Sequence, residues 1–489
     1  MSFLICRNFI EKTGLNFAFN FYFIHSGLMQ SSNLYQLIQS FTVAEQKSAL
    51  RFLQSPYFNQ REDIGRLFEL LSQHTITEKQ QLWSEIYPDE PFDDTRFRLL
   101  MSYLNRLLER FLLVEQLGEK GLSSKLQLAA VYRNRGLMGH FERNMRAFER
   151  EISEQPQRNA QYHSLQRDYF LERHENTIKL NPTDLESLKI LAHHSDVAYL
   201  TQRLRLICLE LAQKNVYRSG EDNPLHRVVI ELAEQREWVN LPAIETYRAA
   251  CKMLQMPEES IYYQIFKEKF TVEEQVFSAT EMREFYTFSI NHCIRQTNRG
   301  ERSLEHEVLE LYQKALAAGY LFENGTLSRF TYHNIVAAAL RCGELDWAEQ
   351  FIPTYNPFLE DSYRDSSLSF NQARLDYARN RYDSVLLLLQ KANYRDPLLN
   401  LAAKTLLLKT YFVLEEHDLL QSHLDAMRNY IHRKKVIGYH RNNYLNIIRF
   451  TERILQLEPN NKKALQELRA EIEKEAVLTE KEWFINAIN

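Results

Sequence analysis

This chain holds few residues that can turn it sharply. Its 489 residues include 13 glycines and 12 prolines, about one residue in twenty against roughly one in eight in an average protein. β-Propellers, β-sandwiches and Gly-rich doubly wound folds need such residues to open and close their strands. Helix is therefore the default reading. A hydrophobic fraction of 44% with 12% aromatics supplies a large core and excludes wholesale disorder. At roughly 100 to 200 residues per domain the length implies two to four domains, unless the chain is a repeat array.

Charge narrows the function classes. With 60 Lys and Arg against 64 Asp and Glu, the net charge of -4 argues against a generally nucleic-acid-binding or membrane-surface protein. Cys6, Cys208, Cys251, Cys293 and Cys342 are odd in number and lie 42 or more residues apart. That is the pattern of reduced, cytosolic core residues, not of a disulfide framework or a zinc site. No run of 18 uncharged apolar residues exists, so no membrane-spanning helix is expected.

Residues 1–29 stand apart. Their aromatic run, Phe17-Ala18-Phe19-Asn20-Phe21-Tyr22-Phe23-Ile24, is interrupted by Asn and has no small-residue cleavage site, unlike a secretory signal. They are expected to be a poorly ordered extension, or to precede a true start at Met29.

Residues 30–118 read as a small helical domain. Apolar residues recur at helical spacing through Leu34, Leu37, Ile38 and Phe41, then Ala49, Leu50, Phe52 and Leu53, with a break at Ser55-Pro56 and a third segment at Ile64, Leu67, Phe68 and Leu71. Asp93-Asp94-Thr95 offers capping oxygens before a long amphipathic helix. Its apolar face is Phe97, Leu100, Met101, Leu104, Leu107, Leu108, Phe111 and Leu112; its polar face carries Arg98, Asn105, Arg106 and Arg110. Gly118 and Gly121 mark the boundary.

Beyond Leu122, residues 122–489 read as successive helices joined by short turns, and an internal period emerges. Gly343-Glu344-Leu345-Asp346-Trp347-Ala348 ends one helix and opens the next. Asn380-Arg381-Tyr382-Asp383-Ser384-Val385 repeats the arrangement 37 residues later, and Glu415-Glu416-His417-Asp418-Leu419-Leu420 repeats it after a further 35.

These residues resemble the tetratricopeptide repeat (TPR), a helical hairpin of about 34 residues. Tyr332, Ile335, Val336, Ala339, Gly343, Leu345 and Ala348 match its pattern in one unit. Its second-helix signature occurs at Ala243, Tyr247 and Ala250, at Val308, Tyr312 and Ala315, and in the register of Ile447 and Pro459. Closing prolines fall at Pro182, Pro397 and Pro459. The resemblance is degenerate, since 65 residues separate Ala243 from Val308, too many for one unit and too few for two. It implies an all-α fold, an α-solenoid of TPR-like hairpins clearest over residues 300–435, preceded by the helical N-terminal domain.

Several chemistries have no sequence to support them. No two glycines lie two, four or five residues apart, so GxGxxG, GxSxG and Walker-A loops cannot be written. HExxH, CxxC and EF-hand loops are absent, and the close His pairs, His193-His194 and His417 with His423, do not share a helix face. Nothing supplies the acid, base and nucleophile an enzyme needs, so no catalytic residue, cofactor or metal is expected.

Two constellations remain. In the repeat family certain first-helix positions line the concave face, and the resemblance carries these onto His333, Arg341, Asn371, Arg379 and Lys404. Such a face would favour an acidic peptide or a carboxylate, although the family's Lys and Asn clamp is not reproduced. The second is the N-terminal domain, where Leu82-Trp83, Pro88-Asp89-Glu90-Pro91 and the Arg98, Asn105, Arg106 and Arg110 face look like the winged-helix output domains that precede helical repeats in some bacterial activators. A DNA reader is usually basic, whereas residues 31–120 hold 10 basic and 13 acidic groups, and residues 113–130 lack a hairpin to form the wing. A further patch, Arg428, Arg433, Lys434, Lys435 and Arg441 with Tyr430, Tyr439 and Tyr444, reads as an exposed helix end and turn.

The sequence thus points to a cytoplasmic, non-enzymatic scaffold or adaptor that binds a partner protein or peptide on a helical-repeat surface, without nucleic acid or membrane. The alternative is a transcriptional regulator with a winged-helix-like N-terminal region and a helical-repeat sensor domain.

Overall fold

The computed structural model describes residues 32–73, 78–118, 121–178, 185–217, 223–238, 240–391, 394, 396–434, 438–457 and 461–488. The expected extension at 1–29, Cys6, Pro182, Lys435 and Pro459 lie outside them. Among the described residues the chain forms 23 α-helices, and its ladder of strands is a two-stranded ribbon pairing Phe322–Glu323 with Thr326–Leu327. The all-α expectation holds.

The chain divides into two units. In one, which takes in the described residues from 32 to 155 and 164–193, helices α1 (Asn33–Gln39), α2 (Val43–Gln54), α3 (Glu62–Ser72), α4 (Lys79–Ile86) and α5 (Asp94–Gly118) enclose a core of Ile38, Ala49, Leu53, Ile64, Leu67, Leu71, Leu82, Phe97, Leu104 and Leu108. Local chemistry sets their ends. Thr42 and Glu45 form a reciprocal capping box at α2, and Asp93 Oδ1 accepts from the backbone of Thr95 and Arg96 at 2.9 and 3.0 Å, opening α5. Trp83 is buried and its indole donates to Glu90 O at 3.1 Å, which pins the loop between α4 and α5. Helix α6 (Leu122–Asn134) and helix α7 (Met138–Glu154) then pack as a pair. Helices α8 (Ala160–Thr177) and α9 (Leu185–Tyr217) follow, each contributing residues to both units.

The other unit takes in residues 156–163 and 194–489. Its helices are α10 (Pro224–Ala233), α11 (Pro242–Gln255), α12 (Ser260–Val272), α13 (Ala279–Thr297), α14 (Leu304–Ala317), α15 (Arg329–Arg341), α16 (Leu345–Tyr355), α17 (Asp361–Ala378), α18 (Tyr382–Lys391), α19 (Pro397–Val413), α20 (His417–Arg433), α21 (Gly438–Gln456), α22 (Lys462–Lys474) and α23 (Lys481–Ala487). Neighbours pair in sequence: α11 with α12, α13 with α14, α15 with α16, α17 with α18 and α19 with α20. The first helices of successive pairs also touch, α11 with α13, α15 with α17, α17 with α19, and α19 with α21.

One turn recurs between paired helices. Gly343, Asn380 and Glu415 all adopt left-handed backbone, with φ of 76°, 58° and 57°. The next amide reaches back five residues in each case: Glu344 to Ala339 O, Arg381 to Asp376 O and Glu416 to Tyr411 O, at 3.0, 2.8 and 3.0 Å. This closure caps the carbonyls that a helix leaves open at its C-terminus. Five positions beyond each left-handed residue, Ala348, Val385 and Leu420 are fully buried. Between α6 and α7 the same turn occurs at Gly136, φ 70°, with Leu137 N bonded to Tyr132 O at 2.9 Å and Phe141 fully buried.

Two register assignments change. Val308, Tyr312 and Ala315 lie in α14, the second helix of its pair, as the resemblance implies, but Ala243, Tyr247 and Ala250 lie in α11, the first of its pair. All six are buried. A small residue, an aromatic and a second small residue at this spacing mark a stripe of close approach, which either helix of a pair can carry. The step from the first helix of one pair to the second helix of the next, a misphasing by half a repeat, explains the interval of 65 residues. Ile447 likewise sits in α21, which touches both α19 and α20 and so occupies a first-helix place.

Candidate partner-binding face

The first helices α15, α17, α19 and α21 form the row on which the expected face residues fall, and the structure distributes those residues unevenly. His333 and Asn371 are brought together in the interior, with Asn371 fully buried. Asn371 Nδ2 donates to His333 Nδ1 at 2.8 Å and to Ser367 O at 3.1 Å, while Asn371 Oδ1 accepts from Arg374 Nη1 at 3.2 Å. Arg374 Nη1 also donates to His333 O at 3.0 Å. With its amide oriented by Arg374, Asn371 leaves His333 Nδ1 as acceptor and places the ring proton on Nε2, 3.4 Å from Ser367 Oγ. These side chains join α15 to α17. The resemblance places these polar residues toward a ligand; in the structure they face the neighbouring first helix.

The other three are closer to the surface. Arg341 is exposed. Arg379 ends α17 with its side chain largely shielded, paired with Asp346 at 2.8 Å and Glu349 at 2.7 Å on α16. Lys404 is half-buried on α19, its ammonium 5.9 Å from the centre of the Tyr430 ring, and burial lowers its pKa.

A second cluster on the same row was not singled out from sequence. Lys409 on α19 lies 2.7 Å from the Glu480 carboxylate, and its ammonium sits 5.5 Å from the Tyr377 ring of α17 and 5.6 Å from the Trp483 ring of α23. Burial pushes the Glu480 pKa up, but Lys409 and Arg374 together hold it below the usual carboxylate range. Burial likewise pulls the Arg374 guanidinium down to about 9, with the Glu480 charge acting the other way. On α21, Asn443 Oδ1 accepts from Thr479 N at 2.8 Å and Asn446 Nδ2 donates to Val477 O at 3.0 Å. The segment after α22 is therefore laid against α17, α19 and α21. No local sequence signal joins Lys409 to a residue 71 positions away.

The face of α5 is open. Arg98, Arg106 and Arg110 are exposed, but they are not a clean cationic stripe: Arg98 pairs with Asp94, Asn105 donates to Glu109 at 2.7 Å, Arg106 leans over Tyr103 and Arg110 over Phe58. Described residues 113–118 and 122–130 are helical, so no hairpin stands where a wing would be. In the patch at the end of α20, Arg428 pairs with Asp425 and Glu452 at 2.9 and 2.6 Å, and Tyr444 is buried.

Other titratable clusters satisfy themselves. Tyr263 OH donates to Glu307 at 2.6 Å, Lys267 pairs with the same carboxylate at 2.6 Å, and the His292 ring stacks on Tyr263 at 4.8 Å. Among the described residues no three His, Cys, Asp or Glu side chains gather as a metal site, and no helix is long and apolar enough to cross a membrane.

Scanned against protein-family models, curated proteins and solved structures, the chain matches none of them.

Proposed function

We propose that this chain is a non-enzymatic helical-repeat scaffold, a TPR-like α-solenoid of the cytoplasm, that captures a partner protein or peptide on the row of first helices α15, α17, α19 and α21. The observation that carries this reading is the recurrence of one capped turn at Gly343, Asn380 and Glu415. Equal turns give the three pairs one internal geometry, and their first helices touch in succession, the stacking that repeat proteins use for recognition. Cations on that row, Arg341 and Lys404, favour a partner with carboxylates. Two features argue against DNA recognition through α5: its arginines are interleaved with Asp94 and Glu109, and it has no wing.

The test is affinity capture of a tagged full-length chain followed by mass spectrometry, in parallel with an Arg341→Glu, Lys404→Glu variant of unchanged circular dichroism. A partner retained by the first and lost by the second supports the reading. Identical capture by both overturns it.

A further inference from the structure

The residues that follow α22 are held as a ligand is held. Asn443 and Asn446, three residues apart on one face of α21, grip the backbone of residues 477–479, one accepting the Thr479 amide and the other donating to the Val477 carbonyl. Side-chain amides that clamp an irregular backbone read the course of a peptide rather than its sequence. Specific anchors then follow. Glu480 inserts its carboxylate beside Lys409, Trp483 packs edge-to-face on Phe412 at 5.2 Å, and Phe484 is fully buried, 5.9 Å from Phe450.

The occupant has little structure of its own. Helix α23 has only seven residues, too few to persist in water without its docking surface. Besides Lys409 with Glu480, the segment makes two long-range ion pairs, Arg302 with Glu482 at 2.7 Å and Arg449 with Glu475 at 3.0 Å, the first joining side chains 74% and 76% exposed, and exposed pairs contribute little. Leu478 and Phe484 are its two well-buried apolar anchors. A short helix whose hold lies wholly in its docking surface can open locally without global unfolding.

We propose that residues 475–488 are a displaceable internal occupant of the face built by α17, α19 and α21, and that the external partner is a peptide segment presenting a carboxylate three residues before an aromatic pair, taking the places of Glu480, Trp483 and Phe484. The inference rests on the scaffold reading and gives it a regulated form. While the segment is docked, its tether gives it a high effective concentration, so a partner must outcompete it. What the face selects follows from its own chemistry: Lys409 beside Tyr377 for the carboxylate, Phe412 and Phe450 for the rings, and Asn443 with Asn446 for the backbone between.

The test uses a fluorescein-labelled synthetic peptide of residues 475–488 and two full-length proteins, the unmodified chain and a Trp483→Ala, Phe484→Ala variant, whose substitutions leave α17, α19 and α21 untouched. The variant should bind the peptide about tenfold or more tightly than the unmodified chain does, and a peptide carrying Glu480→Lys should lose that binding. Equal affinity for both proteins, or binding to neither, overturns the proposal. Should the variant fail to fold, hydrogen exchange on the unmodified chain decides. Amides of residues 479–487 should exchange faster than those of α19 and α21, and faster again when excess peptide is added; exchange in step with α21 and indifferent to peptide overturns it. If the full chain captures a partner through Arg341 and Lys404 while the peptide fails to bind, the occupancy falls and the scaffold reading stands.

Discussion

His333 and Asn371 meet across the contact between α15 and α17, the Asn371 amide donating to Nδ1 of the ring at 2.8 Å, so a neutral imidazole is built into the joint between two first helices. Burial, aided by the Arg374 charge, lowers the His333 pKa to about 3, and burial with Arg295 and Arg299 lowers that of His292 to about 4.

These two residues make stability depend on mild acid. An unfolded imidazole takes its proton near pH 6.5, so between pH 6.5 and 4 the unfolded chain binds more protons than the folded one. Stability is therefore lost as pH falls through that window, by about 1.4 kcal/mol per pH unit for each residue once titration is under way. Urea denaturation at pH 7, 6 and 5 should record the decline, and His292→Gln should make it shallower. A pH-independent midpoint over that range would contradict the buried neutral state of both rings.

Gly343 and Glu415 hold the same left-handed place in their turns with opposite costs. A Cβ at Gly343 would meet nothing within 4 Å, so Gly343→Ala suffers from backbone strain alone, about 1 kcal/mol of destabilisation. Glu415→Gly removes that strain and should stabilise by about 0.5 to 1 kcal/mol. Gly65, inside α3 with open space around it, should respond in the reverse sense to Gly343, with Gly65→Ala gaining about 1 kcal/mol from helix propensity. Chemical denaturation of the three single variants checks the signs.

The turns explain how much could be read in advance. Left-handed backbone selects Gly or Asn, so Gly343 and Asn380 mark the period in the sequence; Glu415 carries no such mark and shows only through its interval. Apolar residues on α5 identified their own core because burial on a helix imposes a 3.6-residue rhythm. The face was less legible. Rhythm shows which residues of a first helix point away from their partner, not whether a second helix covers them, and Arg374 from α17 closes over His333. The docking of Glu480 on Lys409 and of Thr479 on Asn443 joins residues 71 and 36 apart in sequence, with no period to connect them.

Thiol chemistry offers a third check. Cys208 and Cys251 are free, fully buried and 3.3 Å apart at sulfur, and burial pushes the Cys208 thiol up. Cys293 is raised to about 12 by the same cause. Alkylation proceeds through the thiolate and needs access, so iodoacetamide at pH 7.5 should leave these three unmodified in the native chain and label all of them in denaturant. Peptide mapping by mass spectrometry reads the result.

The fourth prediction concerns Glu281, a carboxylate only 3% exposed at the start of α13. Ser278 N and Oγ donate to its Oε2 at 2.9 and 2.8 Å, completing a capping box, and Asn159 Nδ2 donates to the same atom at 2.7 Å. Tyr247 OH donates to Oε1 at 2.9 Å from α11. Removing one partner of a buried polar network leaves the rest desolvated and unpaired, which costs more than the bond itself contributes. Glu281→Ala, which strands Tyr247 and Asn159 together and also removes half of the capping box, should destabilise by about 3 kcal/mol or more. Tyr247→Phe, which releases a single donor, should cost about 1 kcal/mol. Because the two substitutions act on one network, the double variant should lose less than the sum of the singles; strict additivity in urea denaturation would mean that Tyr247 and Glu281 are not energetically coupled, and that α11 and α13 are held together by apolar packing alone.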